Sequence, residues 1–309
     1  MNKATVNYAA EQDEFQKDVE NPRPPTNEDV RSIGEIIRDT RELSVEQVAR
    51  VLEYQRTNGV KFGEAAIALG FATPDDVLRA LAKQFNYAYG GEDRQKSSPD
   101  LIVLNQPFGL QAESVRAIRS QVMMRLGSHG DRQVKARQAL AIVSPNSLDG
   151  KTFFAANLAV SLAQLGGRTL VVDADMRGPR LHDVFQVSNA NGLSGLLSAR
   201  RGEQVIKPVT GVPNLYVLPV GISPPNPLEL LEGPAFGVLL HELVGKFDHV
   251  IVDTPAADHG ADSSVVAARC GAALVVARKN VGRVAELERL VQILNGAGAK
   301  IAGVVMNEF

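Results

Sequence analysis

The second half of the chain is punctuated by short strand-like stretches at residues 140–143, 168–172, 248–253, 272–277 and 301–306, each built on an apolar run. The runs are continuous, not alternating, which is the pattern of strands buried on both faces. Two longer segments, 153–165 and 284–294, place apolar residues at three- and four-residue spacing, with Leu287, Leu290, Val291 and Leu294 on one face of the second. Alternating strands and helices predict an α/β fold: a mostly parallel sheet flanked by helices. In such a sheet ligand belongs at the C-terminal ends of the strands.

The first third follows another rhythm. Residues 1–29 are polar with a proline-rich piece, and predict a disordered tail. From Ser32 to Gln84 the pattern repeats, setting Gly34 on Gly63, Leu43 on Ala72, Val48 on Val77, Leu52 on Leu81 and Gln55 on Gln84. Each copy predicts a short helix, a turn and a second helix capped by Ser44 or Thr73, with Pro74 at the first helical position. A small all-α helical-repeat domain is thus expected over 30–90, then a linker over 91–111 and a domain over 112–309 that begins with a helix at 112–126.

Composition narrows the classes. Hydrophobic residues make up 44% and charged residues 22%, ordinary values for a globular protein. A net charge of −2 gives no whole-chain argument for nucleic acid or an anionic membrane. Cys270 is the single cysteine, so no internal disulfide or multi-cysteine metal site can form. The longest apolar stretch, 264–277, is interrupted by Arg269 and is too short for a membrane span. A cytoplasmic protein is expected, with any membrane role acting through a partner.

The chemistry concentrates at three strand ends. After the first run come Ser144-Pro145-Asn146-Ser147-Leu148-Asp149-Gly150-Lys151-Thr152 and then Phe153, which opens the helical segment. A strand, a turn-rich loop ending in Gly-Lys-Thr and a helix form a phosphate cradle. Lys151 would reach the β- and γ-phosphates and the Thr152 hydroxyl would hold Mg²⁺. Pro145 stands where the usual loop begins with glycine. The second run leads into Asp173-Ala174-Asp175-Met176-Arg177, whose carboxylates need a cation if they are buried. The third ends in Asp253-Thr254-Pro255, with a carboxylate where a Walker B strand places its Mg²⁺ partner. Asn307 ends the last strand and is a candidate for the base edge. On the predicted 112–126 helix, Glu113, Arg116 and Arg119 share a face.

Together these segments, with Leu218-Pro-Val-Gly-Ile-Ser-Pro-Pro-Asn-Pro-Leu-Glu-Leu-Leu231 and Gly303-Val-Val-Met-Asn307, resemble the bacterial tyrosine kinase (BY-kinase) family that regulates exopolysaccharide and capsule synthesis. The resemblance covers about 107–309 and implies a P-loop NTPase fold. It also implies ATP and Mg²⁺ as cofactors, and transfer of the γ-phosphoryl group to protein tyrosines. It assigns catalysis to Lys151, Asp173, Asp175 and Asp253, with Asp173 the base or metal ligand nearest the acceptor. The metal falls to Thr152, Asp175 and Asp253. Nucleotide contacts fall to Asn146, Ser147, Asp149, Gly150, Lys151, Thr152, Phe153, Arg177 and Asn307. It further implies a ring built through Glu113, Arg116 and Arg119, and activation by a membrane chain-length regulator that recruits the kinase to the inner face of the membrane. Family members usually end in a tyrosine-rich tail, whereas here the tyrosines are Tyr8, Tyr54, Tyr87, Tyr89 and Tyr216.

The helical repeat resembles the N-terminal domain of type II secretion ATPases, some of which bind cyclic di-GMP. Ser32 and Lys61 stand at the arginine positions of that motif and Arg41 replaces a glycine. These departures favour a docking or structural module over a nucleotide-binding one. The alternative within the same fold is a partition-type ATPase or a nucleotide-sensing adaptor. Partition ATPases carry a lysine where this chain has Asn146.

Overall fold

The computed structural model describes residues 31–84, 98–127, 138–200 and 204–308. Two compact units divide at residues 86 and 87. The expected tail at 1–29 and most of the expected linker lie outside the described residues.

The small unit is four helices: α1 (Ile33–Thr40), α2 (Val45–Asn58), α3 (Phe62–Ala68) and α4 (Pro74–Gln84). Each follows a residue whose backbone N–H is held by the side chain three positions on: Ser32 by Glu35, Ser44 by Gln47, Lys61 by Glu64 and Thr73 by Asp76. These caps satisfy amides that a helix start leaves without acceptors. Ile36, Ile37, Val51, Ala65, Ala66 and Ala80 form the core. Gly63 is forced to be small, because a Cβ there would stand 2.7 Å from a Val77 methyl. Arg41 reaches across to Asp76 at 2.6 Å. Burial works against the Asp76 charge, but bonds from Arg41 and Thr73 hold its carboxyl at about 2. Ser32, at the expected arginine position, therefore acts as a helix cap.

The large unit is a seven-stranded sheet in the order β3-β4-β2-β5-β1-β6-β7. Its strands are β1 (Ala139–Val143), β2 (Thr169–Asp173), β3 (Lys207–Pro208), β4 (Leu215–Leu218), β5 (His249–Asp253), β6 (Gly271–Arg278) and β7 (Lys300–Asn307). All neighbours pair in parallel except β3, which runs antiparallel to β4 at the edge. β1 and β2 are buried at every position, as their unbroken apolar runs predict. Alternate side chains feed two cores. One holds Leu140, Ile142, Val171 and Ile251 against α5 (Ile102–Asn105), α6 (Leu110–Leu126) and α7 (Lys151–Ala163). The other holds Ala141, Val143, Val172 and Val252 against α11 (Pro234–Lys246), α12 (Asp262–Cys270) and α13 (Val284–Gly296). Three shorter helices complete the unit: α8 (Leu181–Phe185), α9 (Leu193–Leu197) and α10 (Pro227–Glu232). No helix among the described residues is long and apolar enough to cross a membrane.

The expectation of a linker over 91–111 needs correction at its C-terminal part. Leu101, Val103 and Leu104 are buried in the first core. The fully buried Asn157 of α7 accepts from the Val103 N–H at 3.0 Å and donates to the Asp100 carbonyl at 2.7 Å. A four-residue helix is too short to announce itself by periodicity. Replacing Asn157 by Ala leaves the Val103 N–H and Asp100 carbonyl without that partner, so urea denaturation should show a loss of about 1–3 kcal/mol. The α7 boundaries also differ from expectation. The helix starts at Lys151 and ends at Ala163, with the left-handed Gly166 beyond its C-cap, Gln164.

Candidate functional site: a phosphate loop facing paired carboxylates

Parallel pairing brings the strand ends together. Asp173 and Asp253 are register partners at the last rungs of β2 and β5, and Ile142 of β1 lies beside Asp253. The loop leaving β1 thus faces two carboxylates across one edge of the sheet.

That loop is held in shape by its own polar groups. Leu148 and Gly150 adopt left-handed φ values of 65° and 96°, a conformation natural to glycine and costly for leucine. Asp149, 2% exposed, accepts from the Asn146 N–H at 3.0 Å. Burial raises its carboxyl above the usual range, against the pull of the Asn146 bond and of Lys151. The first hydrogen bond of α7 is Phe154 N–H to the Gly150 carbonyl. The N–H groups of Lys151, Thr152 and Phe153 precede it at the helix N-terminus, the arrangement that binds anions. The Phe153 ring itself packs against the first core.

The carboxylates ask for a cation. The Thr152 hydroxyl donates to Asp253 Oδ2 at 2.6 Å, while Asp253 Oδ1 is buried with no partner. Burial pushes the Asp253 carboxyl up to about 7, although the Thr152 bond and the Lys151 charge pull it down. Burial, then the neighbouring Asp253 charge, hold Asp173 well above the usual carboxylate range. Among the described residues no three His, Cys, Asp or Glu side chains could by themselves hold a metal. A hard cation here would complete its shell with hydroxyl, water and phosphate oxygens, as Mg²⁺ does. The orphaned Asp253 oxygen and the all-oxygen donor set fit that ion.

The segment after β2 folds around its aspartates. Asp173 is fully buried and accepts from the N–H groups of Asp175, Arg180 and Leu181. Asp175 is partly exposed, and its Oδ1 accepts from the N–H groups of Arg177 and Gly178. Asp173 thus shapes the loop from a buried position, while Asp175 is the more exposed of the two carboxylates. Arg177, expected to contact nucleotide, makes a two-pronged pair with Asp262 at 3.2 and 3.1 Å. Asn307, expected at the base edge, donates its amide to the Asp149 carbonyl at 2.9 Å and so braces the phosphate loop.

Other braces escaped sequence reasoning. Asn146 donates to Glu286 of α13 at 2.9 Å, and the Ser147 N–H donates to Asp258 at 3.0 Å. The Ser147 hydroxyl lies 2.8 Å from the His259 ring. Asp258 and His259 belong to the 3-10 turn Ala257–His259, whose backbone also bonds to Ser144 and Pro145. On α6, Arg116 pairs with Glu113 while Arg119 turns inward to the Ser161 carbonyl of α7 at 2.6 Å. The face expected to carry an intersubunit contact thus spends one arginine on the helix of the phosphate loop.

A phosphate loop, a hydroxyl paired to a strand-end aspartate and a parallel sheet with helices on both faces define a P-loop nucleotide-binding protein. The family model that matches, over residues 135–308, is ParA, described as NUBPL iron-transfer P-loop NTPase. Tyrosine-protein kinase CpsD of Streptococcus agalactiae is 32% identical over 177 residues, covering 56% of this chain and 76% of the relative. Tyrosine-protein kinase ptk of Acinetobacter johnsonii is 36% identical over 216 residues, 70% of this chain, and the chain spans 28% of that longer relative. The kinase domain of the Escherichia coli tyrosine kinase ETK superposes with a TM-score of 0.63 at 33% identity, over 70% of this chain and 82% of that one. The chimerical protein CapA2B2 gives 0.62 at 33% identity, over 74% and 97%. The chain belongs to the bacterial tyrosine-protein kinase family, within the ParA-type P-loop NTPases.

Proposed function

We propose that this chain transfers the γ-phosphoryl group of ATP to tyrosine hydroxyls of proteins, in the control of exopolysaccharide polymerisation and export. The observation that carries the reading is the partly exposed Asp175, set on the loop next to a Thr152–Asp253 pair with one buried oxygen unclaimed. The N–H groups at the start of α7 and the Lys151 ammonium bind and orient the phosphates. Thr152, Asp253 and Asp175 would hold Mg²⁺, which would supply charge neutralisation on the transferring group. A carboxylate of this loop, Asp173 or the more exposed Asp175, would take the phenolic proton. Glu113 and Arg116, with Arg119 of the same face also bonded to the Ser161 carbonyl, would mediate self-association in a ring, and a membrane co-polymerase would activate the protein at the inner face of the membrane. The small helical unit would serve as a docking or structural module, since its departures from the cyclic di-GMP motif disfavour that ligand.

The reading predicts which hydroxyls receive phosphate. Tyr216 lies in β4 with its ring edge-on to Phe247 at 5.5 Å, and Tyr54 packs on the core of the small unit. Incubation with Mg-ATP, with and without the membrane partner, should give an anti-phosphotyrosine signal. Mass spectrometry should place it on the partner or on Tyr8, Tyr87 or Tyr89, and not on Tyr216 of folded protein. A protein that binds ATP yet labels no tyrosine on itself or its partner would overturn the kinase reading.

A further inference from the structure

The segment after β2 carries the aspartates on which the proposed reaction depends, yet it is a loop. Five backbone N–H bonds fold it around Asp173 and Asp175. Among the described residues, two ion pairs tie its side chains to the rest of the large unit. Arg180 meets Asp100 at 3.5 Å with both side chains substantially exposed, a geometry that contributes little. The other is Arg177 with Asp262, in which the carboxylate is 1% exposed and takes both prongs of the guanidinium. Two parallel N–H···O bonds to a planar fork fix direction as well as distance.

Asp262 occupies a position that links both halves of the site. It opens α12, directly after the 3-10 turn whose backbone bonds to Ser144 and Pro145 and whose Asp258 accepts from the Ser147 N–H. The same short stretch therefore grips the phosphate loop at one end and the aspartate loop at the other. Gly260 stands between the two grips at φ 141°, a conformation that side chains other than hydrogen resist. A Cβ on Gly260 would also stand 3.2 Å from Asp262 Oδ2, the oxygen that receives the Arg177 Nη2 bond. Backbone geometry and side-chain space at Gly260 both protect this pair.

We infer that Asp262 is a positioning residue for phosphoryl transfer: by clamping Arg177 it fixes the Asp175 loop in register with the phosphate loop. Arg177 then serves as a strut, not as a phosphate ligand. The inference rests on reading this edge of the sheet as a phosphoryl-transfer site. The clamp itself is a property of the protein before any ligand binds, so it can be tested separately.

The test uses the full chain with Asp262→Asn, Asp262→Ala, Asp262→Glu and Gly260→Ala. In the nucleotide-free protein, hydrogen exchange of amides 175–181 should accelerate on the order of tenfold in the Asn and Ala variants while the β1 and β5 amides keep their protection. In phosphoryl transfer, kcat should fall about 10- to 100-fold, the usual effect of removing a partner that orients a functional carboxylate. Binding of a fluorescent ATP analogue without Mg²⁺ should stay within about twofold. Asp262→Glu keeps the fork-matching carboxylate and should restore part of kcat, whereas Gly260→Ala should mimic Asp262→Ala. Unchanged exchange at 175–181 in Asp262→Asn overturns the clamp. Faster exchange with wild-type kcat overturns its role in the reaction. Loss of analogue binding together with protection across the whole sheet also overturns it, since that is a general folding defect. If wild-type protein itself labels no tyrosine, the kinase reading fails while the exchange result still decides the clamp.

Discussion

Replacing Lys151 by methionine is expected to abolish tyrosine phosphorylation, lowering the rate about 10³-fold or more, while the fold survives. Lys151 is the first residue of α7 and is 7% exposed. Its ammonium acts electrostatically on Asp253 and Asp149, pulling both carboxyls down. Its chemistry is thus directed into the site and not into either hydrophobic core. Methionine matches the length and apolar stem of lysine, so packing at the start of the helix persists. What disappears is the positive charge proposed to meet the β- and γ-phosphates, in surroundings where burial strengthens such contacts. The measurement pairs an anti-phosphotyrosine time course with a thermal melt. Full activity in a folded Lys151→Met protein would remove the site assignment altogether.

Much of this arrangement can be read along the chain because it is local. Gly150, Lys151 and Thr152 are consecutive, and their roles follow from a strand before them and a helix after them. Asp253 is legible for a similar reason: an apolar strand that ends in an acid delivers the carboxylate to the edge where ligands bind. The unbroken apolar runs at β1 and β2 also announce their burial on both faces.

The braces are another matter, because each joins residues far apart in sequence through a side chain with an innocent local reading. Asp262 is an acid in the first turn of a helix, and Glu286 likewise sits three residues after Arg283 at the start of α13. Both are ordinary helix-start acids until the fold sets Arg177 beside one and Asn146 beside the other. Arg177 stands two residues from Asp175, which makes phosphate binding the natural guess. Only the direction of the loop shows that its guanidinium is already engaged. Asn157 reads as a weak polar interruption of an apolar helix, and only the buried 101–104 segment reveals its partners. Asp173 is legible as a candidate site acid, but its burial is not, since three backbone N–H groups from downstream residues enclose it.

Asp253→Asn is expected to move stability and activity in opposite directions. The Asp253 carboxyl lies in a fully buried position beside Asp173, with one oxygen unpartnered, and is raised from 3.8 to about 7. An acid raised on folding stabilises the native state most at low pH. Below about 4 the carboxyl is protonated in both states and costs nothing in charge. As pH rises from there toward 7, the unfolded chain releases the proton while the folded site retains it, so native stability declines. Asparagine is isosteric, still accepts from Thr152 and carries no charge. The nucleotide-free variant should therefore be more stable than wild type at pH 7, by about 1–4 kcal/mol, with the gap closing toward pH 4. Added Mg-ATP should raise the wild-type melting temperature substantially and the variant's far less, because the oxygen that draws the cation is gone. Phosphoryl transfer should drop by about 10²–10⁴-fold, the several kcal/mol that metal-borne charge stabilisation supplies. Melts across pH with and without Mg-ATP, alongside the rate, check both signs. A variant less stable than wild type at pH 7 and equally so at pH 4 would mean that Asp253 is paired in the ligand-free protein. Its carboxylate would then be a structural anchor, not a group held in strain for a cation.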